Sequence, residues 1–168
     1  MTTTTPMRNQ RNASSIWKLI IAILTCEAIG FTSGLIGSAA MNSWFDKLQK
    51  PSWNPPAYLF APVWTLLYAL MGIAFWLIWK NATPEANKRN AYFAFALQLF
   101  LNFWWSIIFF KLQSPFFALI EILLMLLAIL LTIFHFSKIS KTAGWLLVPY
   151  VLWVSFASVL NYTIWSLN

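Results

Sequence analysis

The side chains best equipped for chemistry in this chain are aromatic rings and amides set inside long apolar runs. Helical steps of three and four put Trp64, Tyr68, Met71 and Phe75 on one stripe, and Gln98, Asn102, Trp105 and Phe109 on a second. Glu121, Met125, Ala128 and Thr132 form a third, and Tyr150, Trp153, Ala157 and Asn161 a fourth. When successive runs are laid antiparallel across a membrane, these stripes meet at one level. Trp64, Tyr68, Asn102, Trp105, Glu121, Ala157 and Asn161 fall in the outer half, with Trp153 near mid-depth. An aromatic-lined cavity with a few hydrogen-bonding groups suits a flat, apolar ligand. Gln98, Asn102, Glu121 and Asn161 equally suit bonds that tie membrane helices together.

Two carboxylates also lie inside apolar runs, Glu27 near mid-membrane and Glu121 in the outer third. An acid at that depth is expensive and a functional candidate. They sit on different helices, so no paired-acid site follows. Cys26 is the single cysteine, which excludes an intrachain disulfide and a cysteine-based metal site. His135 stands alone at a helix end. There is no HExxH, no glycine-rich phosphate cradle and no serine–histidine–acid set. No metal is expected.

The elements that must position these groups are membrane helices. Hydrophobic residues make 60% of the 168 residues and charged ones only 9%, against roughly 25% charged in a soluble domain. A soluble enzyme and a disordered chain are both excluded on that ground. Five apolar spans stand out, at 16–40, 62–79, 91–110, 115–136 and 144–165. Crossing about 30 Å of hydrocarbon takes about 20 helical residues. The backbone must satisfy itself there, and the alternating ten-residue pattern of a barrel is absent. The expected fold is an all-α integral membrane protein, a bundle of five transmembrane helices at 16–168, after a frayed segment at 1–15.

Charge orients the bundle. Arg8, Arg11, Lys18, Lys80, Lys88, Arg89, Lys138 and Lys141 fall on one side, and Lys47, Lys50 and Lys111 on the other. The positive-inside rule puts the N-terminus in the cytoplasm and the C-terminus outside a cell membrane. The net charge of +7 is scattered in ones and twos, without the basic stripe that tracks nucleic acid. One connection is long, 41–61. Its Pro51, Pro55 and Pro56 stiffen it around Trp53. It reads either as a pre-ordered lid or as a rigid turn with Trp44 and Trp53 at the interface. Gly30 and Gly34 form a GxxxG, read as packing within the bundle, with a dimer face as the alternative.

Four blocks now carry a resemblance. KPSWNPP (Lys50 to Pro56), PVWTLLYALMG (Pro62 to Gly72), QLFLNFWWSIIFF (Gln98 to Phe110) and LLVPYVLWVSFASVLNYTIWSLN (Leu146 to Asn168) resemble the TspO/MBR family, and Glu121 matches its acidic position in helix four. The resemblance implies a membrane receptor or sensor for protoporphyrin IX and related planar ligands, with a cavity beneath the first loop and no required cofactor. It implies isoquinoline-type drug ligands, membrane lipids and a second copy as partners. Mitochondrial members bind sterol, but no Lys or Arg follows Tyr150 or Tyr162 within five positions, so the sterol motif is missing here. Trp53 and Trp153 fall on tryptophans implicated in porphyrin turnover, Trp105 on a cavity tryptophan and Ala157 on a small wall residue. Two alternatives stay open: light- and oxygen-dependent protoporphyrin degradation, with Trp53 and Trp153 as reactive rings, and transport of porphyrin-like metabolites. Five helices without a visible inverted repeat argue against ordinary alternating access.

Overall fold

The computed structural model describes residues 7–40, 43–81 and 84–168. Among them every regular element is helical, with no strand. The helices are α1 (Met7–Ala40), α2 (Ser43–Lys47), α3 (Ala57–Trp79), α4 (Glu85–Ser106), α5 (Pro115–Ile139), α6 (Lys141–Leu146) and α7 (Val148–Leu167). A π-helical turn, Ile107–Lys111, extends α4. Five stretches are long and apolar enough to cross a membrane: Ser15–Ser38, Ala57–Trp79, Lys88–Lys111, Pro115–Ile139 and Lys141–Leu167. The shortest, 23 residues, spans about 34 Å at 1.5 Å per residue.

Prolines punctuate these helices. Pro56 and Pro84 stand just before α3 and α4, and Pro115 opens α5. Each has φ preset for a helix start and no N–H to leave unpaired. Pro149, in the first turn of α7, makes the fifth span two helices rather than one. Ser140 caps the shorter of them, its hydroxyl accepting from the Ala143 N–H at 3.4 Å. The reversal after the π turn passes through Gln113 at φ 52°.

The helices overrun the boundaries expected from apolarity. The second begins at Ala57 rather than 62, and the third at Glu85 rather than 91. The fourth runs on to Ile139. The connection expected at 41–61 contains α2 and ends before Ala57. The segment expected to fray at 1–15 is helical from Met7, and the residues before it lie outside the described ones. Hydropathy marks where hydrocarbon stops, whereas a helix continues into water while its residues are good helix formers, as Met, Arg, Gln and Ala are here.

α1 packs on α3, α4 on α5, and α5 on α7. Gly72 is why α1 and α3 cross so closely: a Cβ there would sit 2.6 Å from the Ile23 Cα. Gly30 likewise gives its space to the Tyr68 ring, and at Gly37 a Cβ would stand 3.3 Å from Phe110. Gly34 meets nothing within 4 Å, so the GxxxG is split between a packed glycine and an open one. Phe75, Phe95 and Phe136 stack in the core, at 4.8 and 5.6 Å between centroids. Around them lie buried Met71, Ile78, Ile122, Met125, Ile129 and Val154.

Candidate functional site

Four spans bring their polar stripes together. Tyr68 of α3 donates to the Asn102 carbonyl oxygen of α4. The Asn102 amide donates to the Tyr150 hydroxyl of α7 at 2.8 Å, and that hydroxyl points to the Met125 sulfur of α5 at 3.6 Å. Each helix thus contributes one link to a buried chain, and in hydrocarbon such links replace water. A second chain lies nearer the end of the bundle that carries α2. Trp105 Nε1 donates to the Asn161 Oδ1 at 3.2 Å, and the Asn161 amide donates to the Pro115 carbonyl at 2.8 Å. Asn102 and Asn161 therefore tie helices together.

Three neighbours of these chains are not satisfied. Gln98 Oε1, both Glu121 carboxyl oxygens and Trp153 Nε1 are buried with no hydrogen-bond partner. Gln98 stands one turn from Asn102, Glu121 one turn from Met125, and Trp153 one turn from Tyr150. The unpaired atoms come from three helices and border one network. The Gln98 amide makes only a 3.7 Å contact to the Met71 sulfur.

The rings close over the same region. Trp64 stacks on Tyr68 at 5.6 Å and meets Tyr150 edge-on at 6.3 Å. Trp153 lies 5.9 Å from Phe60 and 5.6 Å from Phe156. Trp53 meets the same Phe156 from the connection between α1 and α3, at 5.9 Å. Phe60 and Phe156 were not singled out by spacing. Phe156 follows Trp153 by one turn on α7, and that periodicity was the available signal. Ala157, partly buried, packs against the core beside them.

The expected cavity is not where the described grooves are. One groove runs between α1 and α4, along Ile21, Ala28 and Phe103. The other lies between the π turn and α5, along Ile108, Phe117 and Glu121. Of the predicted site residues only Glu121 lines either of them. The aromatic set packs ring against ring instead, which is how bulky apolar side chains fill space in a close-packed interior.

The connection between α1 and α3 lies on the bundle. Trp44 and Phe45 of α2 each stand 6.1 Å edge-on to Phe109, and Lys50 Nζ lies 4.3 Å from the centre of the Phe45 ring. Asn54 N–H closes a turn onto the Pro51 carbonyl at 3.0 Å. Trp53 remains 46% exposed at this rim. Of the two acids, Glu121 is buried and Glu27 half-buried on α1. Cys26 is buried in the core as a small apolar side chain.

Comparison with known proteins gives this architecture its place. The profile of the TspO/MBR family matches residues 22–166. The tryptophan-rich protein TspO of Chlorobaculum tepidum is 42% identical over 153 residues, which cover 91% of this chain and 97% of that relative. The protein of the same name from Archaeoglobus fulgidus is 42% identical over 154 residues, covering 92% and 99%. The human translocator protein is 35% identical over 151 residues, covering 84% and 89%. With its five spans, the chain belongs to the TspO/MBR family of multi-pass membrane proteins.

Proposed function

We propose that this chain is a membrane receptor for protoporphyrin IX and related planar, apolar ligands, held among α3, α4, α5 and α7 beneath the outer connection. The observation that supports it most is the trio of orphaned groups, Gln98, Glu121 and Trp153, bordering a network that is otherwise paired. A buried polar group left unpaired costs about 1 to 3 kcal/mol. A porphyrin offers pyrrole N–H groups to Gln98 Oε1, carboxylates to Trp153 Nε1, and flat faces to Trp64 and Tyr150. To admit it, the rings exchange contact with one another for contact with the macrocycle. No resident cofactor is required by this reading.

The test is a dark titration of the purified protein with protoporphyrin, followed by tryptophan quenching, beside thermal unfolding. Glu121→Met and Gln98→Met should weaken binding while leaving thermal stability equal or raised, because they remove orphaned groups. If the two variants lose stability and keep affinity, these side chains serve the fold alone. Uptake no greater than that of empty micelles ends the receptor reading.

One contact favours a second reading, light-driven degradation of the bound porphyrin. Trp53 and Trp153, far apart in sequence, share Phe156 as a neighbour. A macrocycle seated there has two indoles within reach as electron donors, with dissolved oxygen as oxidant. Trp53→Phe together with Trp153→Phe should lower porphyrin loss under light at saturating ligand more than it lowers dark affinity. Equal turnover in the double variant would remove both rings from any chemical role.

A further inference from the structure

The opposite end of the bundle carries an arrangement that the porphyrin reading does not use. Trp76 and Trp79 lie three residues apart on the last turn of α3. Trp76 Nε1 donates to the Ser15 carbonyl of α1 at 2.9 Å, which pins the two helices together at this level. Lys18, one turn further along α1, brings its Nζ to 5.5 Å from the centre of the Trp79 ring. Lys80, just past α3, sets its own Nζ 3.5 Å from the centre of Trp76. Two cations from different spans thus rest on neighbouring indoles, which hold a charge in place without neutralising it. The carboxylates whose side chains are described are elsewhere. Glu27 and Glu121 lie within spans, and Asp46 is on α2 at the far end.

A groove starts from the same point. Steps of three and four lead from Lys18 to Ile21, Thr25, Ala28 and Thr32 on one stripe of α1. The last four line an open groove of about 540 Å³, to which α4 contributes Phe103. The Thr32 hydroxyl is turned back onto the Ala28 carbonyl at 2.7 Å, so the wall it leaves is apolar. Ile21 to Thr32 covers about 16 Å of helix, about half of a 30 Å hydrocarbon layer. The groove is therefore one leaflet deep, with a lysine at its mouth. Trp17, beside that lysine, is 64% exposed, as an interfacial ring is.

We propose that this is a site for one anionic phospholipid, with its phosphate on Lys18, supported by Lys80, and one acyl chain in the groove between α1 and α4. A zwitterionic lipid brings its own cation against the two lysines, which disfavours it. A free phosphate uses the lysines but leaves the leaflet-deep groove unexplained. The continuity of cation and groove along α1 is what selects a lipid.

The probe is a defined pair of lipids, phosphatidylglycerol and phosphatidylcholine, at equal fraction in nanodiscs holding the full chain. Native mass spectrometry reads the lipid that stays bound on release. Phosphatidylglycerol should be retained in preference. Lys18→Gln should lower that retention about fivefold, the effect of one lysine near an anionic surface, and Lys18→Arg should keep it. Ala28→Leu, on an exposed face where folding is not at stake, should fill the groove and lower retention of both lipids. Lys138, 3.9 Å over Phe134 at the same end of another span, is the control. Equal retention of the two headgroups, a loss in Lys138→Gln as large as in Lys18→Gln, or wild-type retention in both Lys18→Gln and Ala28→Leu would overturn the proposal.

Discussion

The Asn168 side chain grips the Gln49 backbone from both sides: its oxygen accepts the Gln49 N–H at 2.9 Å, and its amide donates to the Gln49 carbonyl at 3.0 Å. The same amide lies 2.7 Å from the Ile164 carbonyl in the last turn of α7. One side chain therefore fastens the connection that carries Trp53 to the end of the fifth span, across 119 residues of sequence. The Trp44 and Phe45 contacts with Phe109 hold the connection at its other end.

Asn168→Ala should loosen that connection without unfolding the bundle. Losing two bonds at about 1 kcal/mol each raises local opening roughly tenfold or more. Hydrogen exchange at residues 49–54 in detergent reports it directly. Unchanged exchange would show that the aromatic contacts of α2 hold the connection unaided.

Asn102 is the joint of the buried chain, so its removal should cost more than that of either end. Asn102→Leu leaves the Tyr68 and Tyr150 hydroxyls facing an apolar side chain, at about 1 to 3 kcal/mol for each group left unpaired. Tyr68→Phe removes a single donor and should cost less. Thermal unfolding followed by circular dichroism ranks the two. The reverse order would mean that the Tyr68 hydroxyl, and not the Asn102 amide, is the member on which the buried chain depends.

Ala157 tests where the ligand lies. It stands one turn from Trp153 and one from Asn161, so Ala157→Leu adds bulk on the face proposed for the macrocycle. Porphyrin affinity should fall by a factor corresponding to about 1 to 3 kcal/mol of overpacking. Tryptophan quenching in detergent gives the affinity, and an unchanged value would place the ligand against another face.

The expected orientation, with the N-terminus in the cytoplasm, rests on eight basic residues on one side against three on the other. In a Cys26→Ser background, Asp46→Cys should react with an impermeant thiol reagent added to intact cells, and Thr142→Cys should not. Labelling of Thr142→Cys alone would turn the bundle over and put the outer connection in the cytoplasm.

The spans and their stripes were legible in the sequence because both are local properties. Apolarity over about 20 residues dictates a membrane helix whatever its neighbours are, and a period of 3.6 puts Tyr150 with Trp153 and Gln98 with Asn102 wherever the helix ends up. The family blocks were legible for the same reason, being contiguous. Which amide finds a partner was not. Asn102 is paired on both sides and Gln98, one turn away on the same stripe, keeps an orphaned oxygen. That difference depends on the relative depth and rotation of four helices, and those are set by contacts such as Gly72 on the Ile23 backbone. The packing of Trp64 on Tyr150, the sharing of Phe156 by Trp53 and Trp153, and the grip of Asn168 on Gln49 likewise join residues far apart in sequence. No local propensity encodes such meetings; only the packed bundle decides them.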